Sequence, residues 1–157
     1  MNARIDALMP AQSPAEVATE QAQTPDLIAW VQSGQMPMGE AVAHADALHA
    51  QGHSQAAVNL YGLWLTHSED PRKHLVLFNL GSLLQNLGQL ANAQAAYEQC
   101  LALKPGFSQA AINLGLAHEK LGQSAQAIRV WAGVAAQRYL DDHASAEMTT
   151  MALNHIG

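Results

Sequence analysis

Apolar residues along this chain recur at helical rather than strand spacing. A first patch, Leu27, Ile28, Trp30 and Val31, follows Thr24-Pro25-Asp26, where a threonine cap and a proline in the first turn mark a helix start; Gly34 marks its end. Helix-sized blocks then alternate with short breaks: 38–51 and 54–67 around Gly52, 73–86 and 90–103 around Gly88, 107–120 and 124–137 around Gly122. Each of these glycines falls where a helix has to end in left-handed backbone, which glycine adopts at low cost. Pro71 and Pro105 stop one pair and start the next. Residues 143–156 read as a further helix, with Met148, Met151, Ala152 and Ile156 placed to pack on the third pair. Nothing alternates with period two, so the pattern predicts an all-α fold. Its expected parts are a helix at 26–33, pairs at about 38–67, 73–103 and 107–137, and a C-terminal helix.

The blocks are copies of one another. Asn79-Leu80-Gly81 recurs 34 residues later as Asn113-Leu114-Gly115, and Leu87-Gly88-Gln89 recurs as Leu121-Gly122-Gln123. Ala93 recurs as Ala127, Tyr97 as Trp131 and Pro71 as Pro105. A fixed period of this length, with small, apolar and aromatic residues at constant offsets, marks a stacked helix–turn–helix array. The first pair keeps Leu48, Gly52, Ala57 and Tyr61 and is otherwise degenerate; two extra residues before Pro71 fall in a loop.

Leu77, Leu80, Gly81, Leu84, Gly88, Ala93, Tyr97 and Pro105 fall on the tetratricopeptide-repeat signature. The third pair repeats it with Leu114, Gly115, Gly122, Ala127 and Trp131, but has Ala111 at the large first position and Tyr139 in place of the proline. Over about 100 residues the chain resembles a tetratricopeptide-repeat protein. That resemblance implies an α-solenoid in which glycine and alanine allow close helix approach and Tyr97 and Trp131 fill the space between repeats. It also implies a role in binding other polypeptides on a concave inner face lined by the first helix of each pair.

On that face, Leu75, Phe78, Asn79, Ser82 and Asn86 share one stripe of the second pair. Their third-pair counterparts are Gln109, Ile112, Asn113, Leu116 and Lys120, and these ten residues form the candidate peptide-binding groove. Asn79 and Asn113 stand out because a carboxamide offers both donor and acceptor to a peptide backbone, whatever its side chains. A similar asparagine ladder lines the repeats of protein O-GlcNAc transferases. The competing reading is that each amide bonds a neighbouring helix, and Ala43 interrupts the ladder in the first pair. Phe78, Leu75, Ile112 and Leu116 either grip an apolar partner or are covered by a terminal helix. Lys120 alone does not rebuild the Lys, Arg and Asn clamp by which chaperone-binding relatives hold a terminal carboxylate.

Composition narrows the partners. Hydrophobic residues make up 49% of the 157 residues but aromatics only 5%, so the core relies on Ala and Leu. The seven bases are scattered against thirteen acids, giving a net charge of −6, and no stripe of them tracks a phosphate backbone. Nucleic acid is not an expected partner. No apolar run is long enough to span a membrane and no secretory signal is visible, so the expected location is cytoplasmic. Cys100 is alone, which fits a reducing compartment, and its position predicts a buried, inert thiol.

The eight histidines do not suggest a metal site: Gly52 separates His49 from His53, and His118 replaces Leu84 of the preceding repeat as a packing residue. Asp141-Asp142-His143 reads as the acidic start of the last helix. No nucleophile with an adjacent base, paired carboxylates or phosphate-binding loop stands out, so neither catalysis nor a cofactor is expected. Residues 1–24, interrupted by Pro10 and Pro14, read as a flexible leader. Asn154-His155-Ile156-Gly157 resembles the start of another repeat, which suggests a piece of something longer. The proline-rich leader, three pairs and Ala-Leu-Asn-His-Ile-Gly ending are similar to the amino-terminal region of bacterial SPINDLY-like O-GlcNAc transferases. The leading expectation is a non-catalytic protein–protein interaction scaffold with a peptide or protein in its groove. The alternative is the substrate-presenting arm of a glycosyltransferase whose catalytic lobes are missing here, and self-association through the C-terminal face is a further possibility.

Overall fold

The computed structural model describes residues 25–156, with side-chain surroundings over 26–143. The expected leader over 1–24, including Thr24 as a cap, lies outside the described residues. Helix α1 spans Pro25–Gln32, α2 Met38–Ala50, α3 Ser54–His67, α4 Lys73–Asn86, α5 Leu90–Leu103, α6 Ser108–Lys120 and α7 Ser124–Ile156. There is no strand among the described residues. Helices α2/α3, α4/α5 and α6 with the start of α7 form three packed pairs, and α1 lies against α3.

The turn within each pair has the same backbone solution. Gly52, Gly88 and Gly122 adopt φ of 86°, 74° and 75°. The amide of the next residue then returns to a carbonyl five residues back: His53 to Leu48 at 2.8 Å, Gln89 to Leu84 at 2.9 Å and Gln123 to His118 at 2.8 Å. This is the hydrogen bond that closes a helix C-terminus through a left-handed glycine. Between the first two pairs, the two-residue insertion is stiffened by Asp70, which accepts from the Arg72 guanidinium at 2.7 Å and from the Arg72 amide at 2.8 Å.

Close approach inside the pairs depends on small residues. A Cβ on Gly81 would lie 2.6 Å from Cε1 of Tyr97, and one on Gly115 would overlap the Trp131 indole. In the first pair the equivalent position is Ala45, fully buried near Tyr61. The core runs along the stack: Val31 and Met36 at one end, Trp64, Leu65, Val76, Leu80, Leu84 and Tyr97 in the middle, Leu114 and Ala127 beyond. Trp64 donates its indole N–H to the Met36 carbonyl at 2.8 Å, tying the chain before α2 onto α3.

The structure differs from the sequence expectation at the C-terminal end. The second helix of the third pair and the expected separate helix over 143–156 are one continuous 33-residue helix. Between 134 and 156 there is neither glycine nor proline to break it, and alanines favour its continuation. Asp141-Asp142-His143 therefore lies inside a helix rather than at the start of one. Asp141 accepts a hydrogen bond from Gln137 one turn earlier at 2.8 Å, and the His143 and Tyr139 rings lie 4.1 Å apart. From Ala135 to His143 every side chain is exposed.

Candidate functional site

The two asparagines singled out in the sequence are tied to aromatic residues of the preceding pair. Asn113 donates from Nδ2 to the Tyr97 hydroxyl at 3.3 Å. Asn79 hydrogen-bonds the Tyr61 hydroxyl. The arrangement repeats along the stack because tyrosine, like asparagine, holds one slot of the period. The Tyr97 hydroxyl in turn faces Ser82 Oγ at 3.3 Å and Gln85 Oε1 at 3.4 Å. Of the two readings of these amides, bonding to a neighbouring helix is what the geometry shows; each primary amide keeps further hydrogen-bonding capacity beyond that bond.

Burial fixes the protonation of both phenols. It pushes the Tyr61 hydroxyl up to about 12, the Asp46 carboxylate acts in the same direction, and the Asn79 hydrogen bond opposes them. Tyr97 is raised for the same first reason, against its hydrogen bonds with Ser82 and Asn113. At neutral pH both hydroxyls keep their protons, and that of Tyr97 serves as a donor.

Of the ten candidate groove residues, three line one recess and one lines another. Asn79, Ser82 and Asn86 line an open recess of about 250 Å³ between α2 and α4, together with Asp46 and His49 from α2 and Tyr61 from α3. Phe78 is half-buried: its ring lies 5.2 Å from that of Phe107 and 6.1 Å from that of Tyr97, a cluster that joins the second pair to the third. It is committed to stacking repeats, so its expected grip on an apolar partner is reduced. Leu75, Asn113 and Leu116 are partly exposed, while Gln109 and Lys120 are open to solvent.

Ile112 is 44% exposed and faces a different, apolar notch. Its wall is completed by Trp131, Val134, Ala135 and Tyr139 of α7, with the charged Arg138 and Asp142 beside them. Sequence reasoning missed Asp46, His49 and Tyr61 as neighbours of Asn79 in the recess between α2 and α4, because Ala43 made the first pair look uninformative. The signal was available: Asp46 precedes Ser82 by the same 36 residues that separate Tyr61 from Tyr97.

Other candidate chemistry is placed elsewhere. His49 Nδ1 lies 2.8 Å from Ser54 Oγ, and His44 stands edge-on to Trp30 at 6.3 Å. Among the described residues no group of three or more potential metal ligands comes together. His118 is buried and bonds Gln123 through Nδ1 at 2.6 Å, in the packing role expected of it. Burial pushes the Cys100 thiol up to about 11, and its Sγ rests 3.1 Å from the His74 carbonyl. A thiol so placed is a poor nucleophile at neutral pH. No helix among the described residues is long and apolar enough to cross a membrane.

Comparison with known proteins agrees with this architecture. The family model described as tetratricopeptide repeat matches residues 75–107, which are most of α4 and α5 with the turn after them. No curated protein matches the chain in sequence. Among solved structures, a crystal structure of MamA superposes with a TM-score of 0.61 at 18% identity, over 88% of this chain and 81% of its own. A second crystal structure of the MamA protein gives a TM-score of 0.56 at 19% identity, over 83% of this chain and 70% of its own. At such identities the likeness concerns the fold, and the further resemblance to SPINDLY-like transferases is not confirmed. The chain carries a tetratricopeptide repeat, and its stacked helix pairs form the α-solenoid of that repeat class.

Proposed function

We propose that this chain is a non-catalytic protein-interaction scaffold that holds an extended peptide along the inner face formed by α2, α4 and α6. The observation that carries this reading is the recess between α2 and α4, where Asn79, Ser82 and Asn86 meet Asp46 and the Tyr61 hydroxyl. Side chains that both donate and accept suit a peptide backbone, whose N–H and C=O groups need both. The recess is open and lies between two rigid helices, so a ligand would lose little affinity to reorganisation of the site. The non-catalytic part of the reading is supported by the burial of Cys100 and the structural ties of His49 and His118.

Selection from a displayed random-peptide library tests the reading. The folded chain should enrich a sequence motif, and an Asn86→Trp variant with an unchanged thermal melt should no longer enrich it. Asn86 is exposed, so filling the recess from that position leaves the core alone. Equal enrichment by both proteins would overturn the groove.

Self-association at the C-terminal end is a second reading, favoured by the apolar notch of Ile112, Trp131 and Val134. One period earlier the corresponding residues are Phe78, Tyr97 and Cys100, and there Phe107 and Asn113 of the third pair close over them. The notch thus continues the interface that already holds the repeats together, and a helix from a second copy of the chain is its proposed occupant.

A further inference from the structure

We propose that the recess between α2 and α4 is a guanidinium site, which takes an arginine side chain of the bound peptide with Asp46 as its counter-ion. This rests on the peptide-groove reading and adds the chemistry of the residue that anchors there. Asp46 is the one acid among the residues that line the recess, and neither lysine nor arginine lines it. Among the described residues it has no basic partner: the ion pair there joins Arg72 to Asp70. Apart from that carboxylate, the polar lining consists of hydroxyl and amide groups and the His49 imidazole, which Ser54 engages through Nδ1; such a recess disfavours an anion and suits a cation.

The other walls select guanidinium among cations. Asn79, Ser82 and Asn86, each with a side-chain oxygen, line the recess with Asp46, and a guanidinium presents five N–H donors in a flat fork able to meet several acceptors at once. A lysine ammonium offers three donors on a compact head and satisfies fewer of them. Ala45 and Leu83 supply an apolar wall on which the aliphatic part of an arginine can lie. At about 250 Å³ the recess is below the roughly 300–1,000 Å³ typical of sites for larger ligands, so it holds one side chain.

The repeat alignment makes the site local to one end of the stack. Positions equivalent to Asp46 are Ser82 in the second pair and Leu116 in the third, while Lys120 in the third pair corresponds to Asn86. The inner face therefore passes from an acid, through hydroxyl and amide, to a leucine and a lysine. Such a gradient fixes the direction in which a peptide with one basic end lies.

Nuclear magnetic resonance of the full chain, reading the side-chain amides of Asn79 and Asn86, tests the site. The probes are Nα-acetyl-arginine N-methylamide and the corresponding citrulline compound, its uncharged near-isostere. Saturable shifts with the arginine compound, at least about tenfold weaker with citrulline and similarly weakened by Asp46→Asn, are expected for a charge-assisted contact. Equal shifts from both compounds, or an Asp46→Asn variant that binds undiminished with an unchanged melt, would overturn the assignment. No shift at Asn79 and Asn86 with the arginine compound would also overturn it. A capped Gly-Arg-Gly peptide should bind more tightly than agmatine; equal affinity would assign the recess to free guanidino compounds and overturn the peptide form. Library selection separates the two proposals. An enriched motif without arginine, lost in Asn86→Trp, keeps the groove and removes the guanidinium site.

Discussion

At the scale of single residues, the stack is set by which positions lack a side chain. Gly81 and Gly115 face the rings of Tyr97 and Trp131, and in both cases an added methyl group meets the ring rather than open space. Gly81→Ala and Gly115→Ala should each cost about 1–3 kcal/mol through overpacking, measured by denaturant unfolding. Gly39, with nothing within 4 Å of an added Cβ, is the internal control: Gly39→Ala should be neutral or stabilising because it only improves helix propensity. Equal effects at all three positions would mean that ring contact is not what restricts them. The same scale explains why the sequence left two readings of the asparagines open. Their type and spacing fit a peptide ladder, but type and spacing alone do not reveal that a tyrosine hydroxyl from the previous pair already bonds each amide.

Between elements, the contrast lies between turns that end helices and a stretch that does not. Gly52, Gly88 and Gly122 were legible as breaks because left-handed backbone leaves a compositional mark. The region around Asp141 carries no such mark, and α7 runs through it. Thirty-three residues at 1.5 Å each make a helix of about 50 Å, against about 20 Å for its partner α6. Isolated helices are marginal in water below about 12–15 residues, so packing is what stabilises most of them. Tyr139 and Leu140, 63% and 60% exposed, lie on this uncovered length, and Tyr139 lines the notch. If the notch receives a second copy, light scattering after gel filtration should show mass rising with concentration, and Ile112→Asp should abolish the rise without changing the melt. A constant monomer mass up to the highest attainable concentration would sink that reading.

For the molecule as a whole, stability is a sum over neighbouring pairs that share one elongated core. Two buried acids of high pKa, the Cys100 thiol and the Tyr61 phenol, sit within it, in the second and first pairs. The folded chain holds both protons more tightly than the unfolded chain, raising Cys100 from 9.0 to about 11 and Tyr61 from 10.0 to about 12. Their contribution to stability is fully present below about pH 9 and is lost as the pH rises through the folded values. The unfolding midpoint in denaturant should therefore fall between pH 9 and 11, and Cys100→Ala should lessen the fall. A midpoint that stays level across this range would contradict the burial argument. Net charge of −6 adds a long-range attraction for basic ligands that salt weakens, in keeping with the acidic anchor proposed at Asp46.

By itself, the sequence determined what depends on local chemistry and on a repeated period. Helix type follows from apolar spacing, turns from glycine and proline, and close packing inside each pair from small residues set opposite aromatic ones at a constant offset. Tertiary structure decided what depends on neighbours distant in the chain. Tyr61 and Tyr97 took up the asparagines, Phe107 covered Phe78, and Asp46 came to share a recess with Asn79 and Asn86. Periodicity places a residue on a face, but the groups that meet it there belong to other helices, and their reach is set by packing rather than by position in the sequence.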